Sequence, residues 1–394
     1  MKLDFFTAKR ALAALAICAS ILFPATAALS PDSLVVKHGS FTIAPVGRAL
    51  FDAAAYLPQN HDFKPGVAVP DVRLGAKASF GDFDSRVEIS YRFGKLYYTD
   101  IYLQWNINEN SFLKGGHFIH QVGLQSATGA AAKISMEEPI AQSALGESRM
   151  LGAMYVYHNK AIHFAGSLYA QSDAISKHAN ELGRTGVGAL ARFAWHPTTA
   201  PGNIFQIGTT ALIQTAKFGG DVENPVSTFS ANFPTKVSQV QLVSAEVDHV
   251  KSIFKLMPEM LWSRNRFAAE AQFYFLNTGR KDGLESFQGI GCYALGRVLL
   301  NRNASYSYSS STGYFATPKP KSWEIVAGYS YVNLNDTGAG IYGGRANSAT
   351  ITLNYYINKW ITWRFNYNYT DRAAAPGLPS QHANIFQTRI QFVL

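Results

Sequence analysis

The sequence predicts an all-β chain, a transmembrane antiparallel up-and-down β-barrel of about 16 strands. Three observations predict it. Apolar and polar residues alternate almost from end to end, and short breaks between these runs alternate with long polar stretches. Charged residues make up only 15% of the 394 residues while aromatics reach 13%, with 20 Tyr and 26 Phe. A soluble domain carries about a quarter charged residues, so much of this chain's surface does not face bulk water. Its overall hydropathy is nevertheless too low for a helical membrane protein.

The first element is a leader. Lys2, Lys9 and Arg10 precede the apolar run "ALAALAICASILF", and Ala25-Thr26-Ala27 offers small residues for cleavage. This predicts a cleaved signal peptide over 1–27 and a single barrel domain over 28–394. Ile17 before Cys18 is too bulky for a lipoprotein signal. Cleavage lowers the formal net charge from +9 to +7 and leaves Cys292 without a disulfide partner. Beyond residue 30 no apolar run approaches the roughly 20 residues of a membrane helix.

The strands follow. In "DVRLGAKASF", Val72, Leu74, Ala76, Ala78 and Phe80 oppose Arg73, Gly75, Lys77 and Ser79. In "SRVEISYRF", Val87, Ile89, Tyr91 and Phe93 oppose Arg86, Glu88, Ser90 and Arg92. "TDIYLQWNIN", "RFAAEAQFYF" and "WITWRFNYNYT" repeat the pattern, and the last places Arg364 between Trp363 and Phe365. This is the period-2 signature of strands. The breaks "GDFD" (81–84), "HNK" (158–160) and "NK" (358–359) are short. Those at 219–236 and 301–322 are long and polar. Short turns at one end and long loops at the other fit a barrel in a membrane. Pro258, inside "SIFKLMPEMLW", is expected at a bulge. A soluble sandwich or propeller would also alternate, but aromatics near strand ends on the apolar phase favour the membrane.

The segment "QSATGAAAKISMEEPIAQSALGES" (125–148) is rich in small residues and too polar to cross lipid unpaired. Folded inward as a constriction loop, it would place Lys133 as a cation and Glu137 and Glu138 as anions of an eyelet.

"GRALFDAAAYL", "DVRLGAKASFG", "RVEISYRFGKLYYTDIYLQW", "GGHFIHQVGLQSATG" and "ISMEEPIAQSALGESRMLG" occur in the order seen in the phosphate-selective porins O and P, which this chain resembles. "ARFAWHP" and the placement of Glu259 and Glu270 extend the likeness. The resemblance implies a 16-stranded, usually trimeric outer-membrane barrel that conducts anions past luminal cations. Its constriction segment ends at an arginine, here Arg149. On the polar phase of their strands lie Arg48, Arg73, Lys77, Arg86, Arg92, Arg192, Arg364 and Arg389, the expected pore-lining cations. Two positions depart from the phosphate-selective pattern. Ile119 and His120 stand where a lysine is usual, and Glu138 stands where an arginine follows Met-Glu. Inward acids such as Asp52, Glu88, Asp100, Glu270 and Glu324 would also pair across strands.

No catalytic motif, phosphate loop or dinucleotide fingerprint occurs. His117 and His120 fall on opposite strand faces, so they do not chelate one metal together. The sequence therefore reads as a non-enzymatic Gram-negative outer-membrane porin with no cofactor, no metal and no nucleic-acid partner. The partners it implies are membrane lipid, lipopolysaccharide, small anions or other small hydrophilic solutes, and two further copies of the chain. The alternative is a non-channel barrel acting as a surface binding protein or adhesin, with its lumen plugged by side chains.

Overall fold

The computed structural model describes residues 34–57, 62–127, 133–147, 149–171, 185–218 and 224–394. The expected leader lies outside the described residues, as do 128–132 and 148 of the small-residue segment. The chain begins with β1 (Val36–His38), β2 (Phe41–Leu57), β3 (Gly66–Phe80), β4 (Phe83–Arg92), β5 (Lys95–Asn108) and β6 (Ser111–Ile119). After a short helix, Ile140–Leu145, come β7 (Arg149–His158), β8 (Ile162–Ala170), β9 (Val187–Ala200) and β10 (Asn203–Thr215). Next are β11 (Ser227–Asn232), β12 (Gln241–Val247), β13 (Val250–Arg264), β14 (Phe267–Arg280) and β15 (Phe287–Leu299). The chain ends with β16 (Tyr308–Ser309), β17 (Tyr314–Phe315), β18 (Ser322–Asp336), β19 (Ile341–Tyr356), β20 (Ile361–Ala373) and β21 (Gln381–Val393).

Each wall strand pairs antiparallel with the next, and β2 pairs with β21 as well as β3, which closes the sheet. β11–β12 and β16–β17 are separate hairpins, and β1 only borders the first residues of β2. Sixteen strands therefore form the wall. Closure leaves no unpaired edge, the condition for a sheet to cross lipid.

Alternation fixes which face is which. On β20, Arg364 is 1% and Asn366 0% exposed, while Phe365 between them is 45% exposed. The exposed phase is the outer face, and it carries Leu74, Trp105, Phe193, Ile351 and Phe392. Pro258 also points outward, but it makes no bulge. The register of β13 on β14 is the same on either side of it, Leu256↔Phe275 and Glu259↔Gln272. The ladder omits only Met257 and Pro258 there, so the missing N–H is absorbed without slipping the strand.

Up-and-down connectivity assigns each connection to an end. The breaks at 81–82, 159–161 and 357–360 share one end with the start of β2 and the end of β21. The stretch 301–322 was expected among the long loops opposite these turns. Counting strands puts it at the short-turn end instead, because β15 runs toward that end and β18 leaves it. The segments 120–148 and 216–249 connect strands at the other end.

The connections after β6, β10 and β15 fold into the barrel, and part of the inner wall under them is apolar. Leu276, Tyr293, Leu295, Val326, Val332 and Leu334 face inward and form one buried cluster with the helix residues Ile140, Ala141 and Leu145 and the hairpin residues Phe229, Val243 and Val247. Small wall residues make room. A Cβ on Gly291 would lie 2.9 Å from the Ala141 methyl, and one on Gly343 would lie 2.6 Å from that of Ala245. The inner phase is thus apolar in part and polar or charged elsewhere.

Ile351 is 55% exposed near the middle of β19, so arginine there would face hydrocarbon. Ile351→Arg should destabilise the barrel by about 2–4 kcal/mol, measured by urea unfolding in lipid vesicles. An unchanged midpoint would contradict the assignment of the outer face.

Candidate functional site

The first half of the wall carries an alternating ladder of charge. Arg48 on β2 pairs with Asp71 on β3. Asp71 also accepts from Arg73 at 2.9 Å, and Arg73 reaches Glu88 on β4 at 3.2 Å. Glu88 pairs with Arg86, whose Nε lies 3.9 Å from Asp100 on β5. Arg149 on β7 closes the row, donating to both oxygens of Asp100 at 3.0 and 3.3 Å. Period 2 puts the side chains of β2 to β5 on one face, and antiparallel register brings them abreast, while Arg149 reaches Asp100 from the first residue of β7. Ser90 donates to Asp71 and Thr99 to Glu88, so the carboxylates are further satisfied. Four arginines face three carboxylates along this row, an excess of one positive charge.

The ladder borders a cavity of about 710 Å³ that also takes in Tyr102, Gln104, Asn106, Lys114 and Ser311. A second space of about 490 Å³ lies toward the long-loop end, beside Glu147, Lys217, Gln171 and Lys255. Arg149 lines both. Lys77 stands near the short-turn end, 3.5 Å from Asp84. Arg92 ends β4 at the other end, its guanidinium 4.7 Å from the Tyr97 ring centre.

The other expected cations lie elsewhere. Arg192 has no exposed surface. It chelates Glu259, with Nη2 at 2.7 Å from Oε1, and donates to the Thr312 and Gly313 carbonyls at 2.8 Å. Arg364 donates to the Ser135 carbonyl at 3.3 Å. Arg389 holds Asp52 at 2.6 Å, the Met136 carbonyl at 2.7 Å and Glu137 at 2.8 Å. All three keep the inward phase, but inserted backbone covers them, so none stands in a file of water-facing cations. Alternation reports only the face, not what lies over it.

Residues 120–127 and 133–147 meet inward side chains of the opposite wall. Leu124 N–H donates to Gln272 at 3.1 Å, Gln125 to Glu270 at 2.6 Å, and Asn354 to the Ile134 carbonyl at 2.8 Å. The helix N–H of Ala141 donates to Ser330 at 3.1 Å, and Tyr274 donates to Gln142 at 2.7 Å. The segment's charges are matched. Lys133 pairs with Glu138 at 3.0 Å and donates to the Gln125 carbonyl. Glu137 binds both Arg389 and Lys236, at 2.8 and 3.3 Å. Glu137 beside it holds the Lys236 ammonium above the usual lysine range. Lys236 comes from the β10–β13 connection, so Glu137 ties two inserted segments to the wall.

Residues that the sequence did not single out complete the picture. Lys255 donates to the Leu145 carbonyl at 2.8 Å and to Glu147 at 2.6 Å. Arg372 donates to the Gln241 and Leu242 carbonyls at 3.1 Å. Arg297 pairs with Glu324 at 2.7 Å. Their inward phase was readable, but the partners of Lys255 and Arg372 come from inserted segments, whereas that of Arg297 lies on the neighbouring strand β18. At the short-turn end, Tyr308 donates to Gln206 at 2.6 Å and Tyr314 donates to Glu270, anchoring the 300–321 insert.

A closed antiparallel barrel with an apolar outer face and charged cavities inside is the architecture of an outer-membrane porin. The family model "Phosphate-selective porin O and P" matches residues 56–394, and the chain belongs to that family. It is an outer-membrane channel protein. Solved porins share the fold. OmpT of Vibrio cholerae, in its trimer form, matches with TM-score 0.57 and 12% identity over 90% of this chain and 100% of that one. An anion-selective porin from Comamonas acidovorans gives TM-score 0.59 at 8% identity, with 90% and 100% covered. OprB of Pseudomonas putida gives 0.52 at 10%, with 89% and 94% covered. No curated protein sequence matches.

Removing Glu259 would leave Arg192 buried and unpaired. Glu259→Leu should cost about 3–5 kcal/mol, read as a lowered unfolding midpoint, and a loss below 1 kcal/mol would contradict the buried pairing.

Proposed function

We propose that the protein is a passive, weakly anion-preferring pore for small hydrophilic solutes, and that solutes pass along the β2–β7 side of the barrel. The alternating ladder carries this reading. Its arginines are neutralised in pairs, so it offers one excess cation rather than a file of free guanidinium groups. Lys133, Glu137 and Glu138 are likewise matched, so the inserted segment adds little field of its own. A field this small attracts anions weakly and excludes little. The segment 120–147 acts as the constriction, and the narrowest passage runs past Arg149, which borders both cavities. A mature chain over 28–394, exported by cleavage of 1–27, is part of the same reading.

The wall height supports a trimer. β6, β7 and β8 have 9, 10 and 9 residues. At ~3.3 Å per residue and ~35–45° tilt, nine residues rise about 21–24 Å, the lowest part of a wall whose apolar band is roughly 25 Å tall. Neighbouring copies covering this low side would remove the mismatch, while lipid and lipopolysaccharide border the taller strands. A non-channel barrel remains the competing reading, favoured by the buried apolar cluster that fills the opposite half of the interior.

The test is electrical. Purified protein in planar bilayers should conduct, and a tenfold KCl gradient should give a small reversal potential of the sign for anion preference. Replacing 134–145 by a short glycine-serine linker should raise single-channel conductance. Absence of any current contradicts the channel path, and an unchanged conductance in the linker variant contradicts the constriction.

A further inference from the structure

We propose that Lys114 is an anion subsite of this conduit and that it takes small organic carboxylates with an apolar body. The proposal deepens the channel reading and rests on it. Lys114 projects inward from β6, abreast of Gln104 on β5 and Met154 on β7, and it borders the 710 Å³ cavity. Every arginine of the ladder touches a carboxylate. Lys114 makes no ion pair and no hydrogen bond among the described residues.

Its surroundings are aromatic. The ammonium nitrogen lies 4.3 Å from the Tyr102 ring centre and 5.4 Å from those of Phe112 and Phe118. Ring faces attract a cation without accepting strong hydrogen bonds, so its three N–H donors stay available to a solute. The cage is firm. Phe118 stacks on His120 at 4.2 Å, and Phe112 and Phe118 pack with Met154 and Val156 in a buried cluster. A fixed, partly dehydrated ammonium loses less order and less water when a carboxylate arrives than a free lysine does.

The neighbours select the rest of the solute. Tyr102 is only half-buried and presents carbon to the cavity beside Phe112. A carboxylate bearing a ring or an alkyl body gains those contacts as well as the charge. Inorganic oxyanions gain the charge alone, and the ladder's paired arginines add little for them.

The test uses sodium benzoate, acetate and phosphate as blockers of chloride current through the purified channel at neutral pH. Benzoate should inhibit at about tenfold lower concentration than acetate or phosphate, a difference of about 1.4 kcal/mol. Lys114→Gln and the stem-preserving Lys114→Met should erase that preference, and Tyr102→Ala should weaken benzoate but not acetate. Equal inhibition by benzoate and acetate in the wild type overturns the subsite while leaving the channel intact. So does a benzoate preference that persists in either lysine variant. No chloride current in the wild type overturns the channel reading itself.

Discussion

Backbone that enters a barrel without joining its wall arrives with unpaired carbonyls, and the structure depends on how these are satisfied. A buried C=O with no donor costs as much as a lost hydrogen bond. Here the wall's cations and amides supply the donors. Arg389 takes Met136, Arg364 takes Ser135, Arg192 takes Thr312 and Gly313, Lys255 takes Leu145, and Arg372 takes Gln241 and Leu242. Asn354 and Gln387 do the same for Ile134 and Pro234. A guanidinium can keep one edge on a carboxylate and still donate to a carbonyl from the other. Arg192 and Arg389 both do this, on Glu259 and Asp52.

That constraint divides the luminal cations into two sets. Those on β9, β13, β20 and β21 hold inserted backbone in place, and inward Leu, Val and Tyr side chains pack around them. Arg48, Arg73, Arg86 and Arg149, on β2, β3, β4 and β7, pair with wall carboxylates, and a cavity lies beside them. The interior is consequently lopsided. One half is core, and the other half holds a charged cavity that the crossing segment borders. The same alternation of strand residues produces both, because packing against an insert and facing water both use the inward phase.

Much of the architecture was legible in the sequence, since period 2 with short turns specifies a membrane barrel in few other ways. Alternation placed Arg73 and Arg364 on the same phase, and it could not separate a cation beside a cavity from one sealed beneath Ser135. That difference depends on where residues 120–147 cross, a contact more than 200 positions away in sequence. The stretch 301–322 was misplaced for a related reason. Its length suggested the long-loop end, whereas its true end follows from counting every strand before it. Val326 and Val332 on β18 face inward with apolar side chains, and the helix 140–145 and the β11–β12 hairpin packed above them explain why. Nothing in the alternation set Lys114 apart, because the Tyr102 ring reaches it only through the β5–β6 pairing.

The central claim is that solutes pass on the β2–β7 side and not through the centre. Single cysteines in a Cys292→Ser background test it directly. Gln104 borders the cavity, while Thr352 is fully buried against Ser135 under the crossing segment. Single-channel current is recorded before and after a charged thiol reagent is added from either side. The account predicts that Gln104→Cys channels lose a large part of their current, whereas Thr352→Cys channels are unaffected. Equal block at both positions, or block at Thr352→Cys alone, would contradict it.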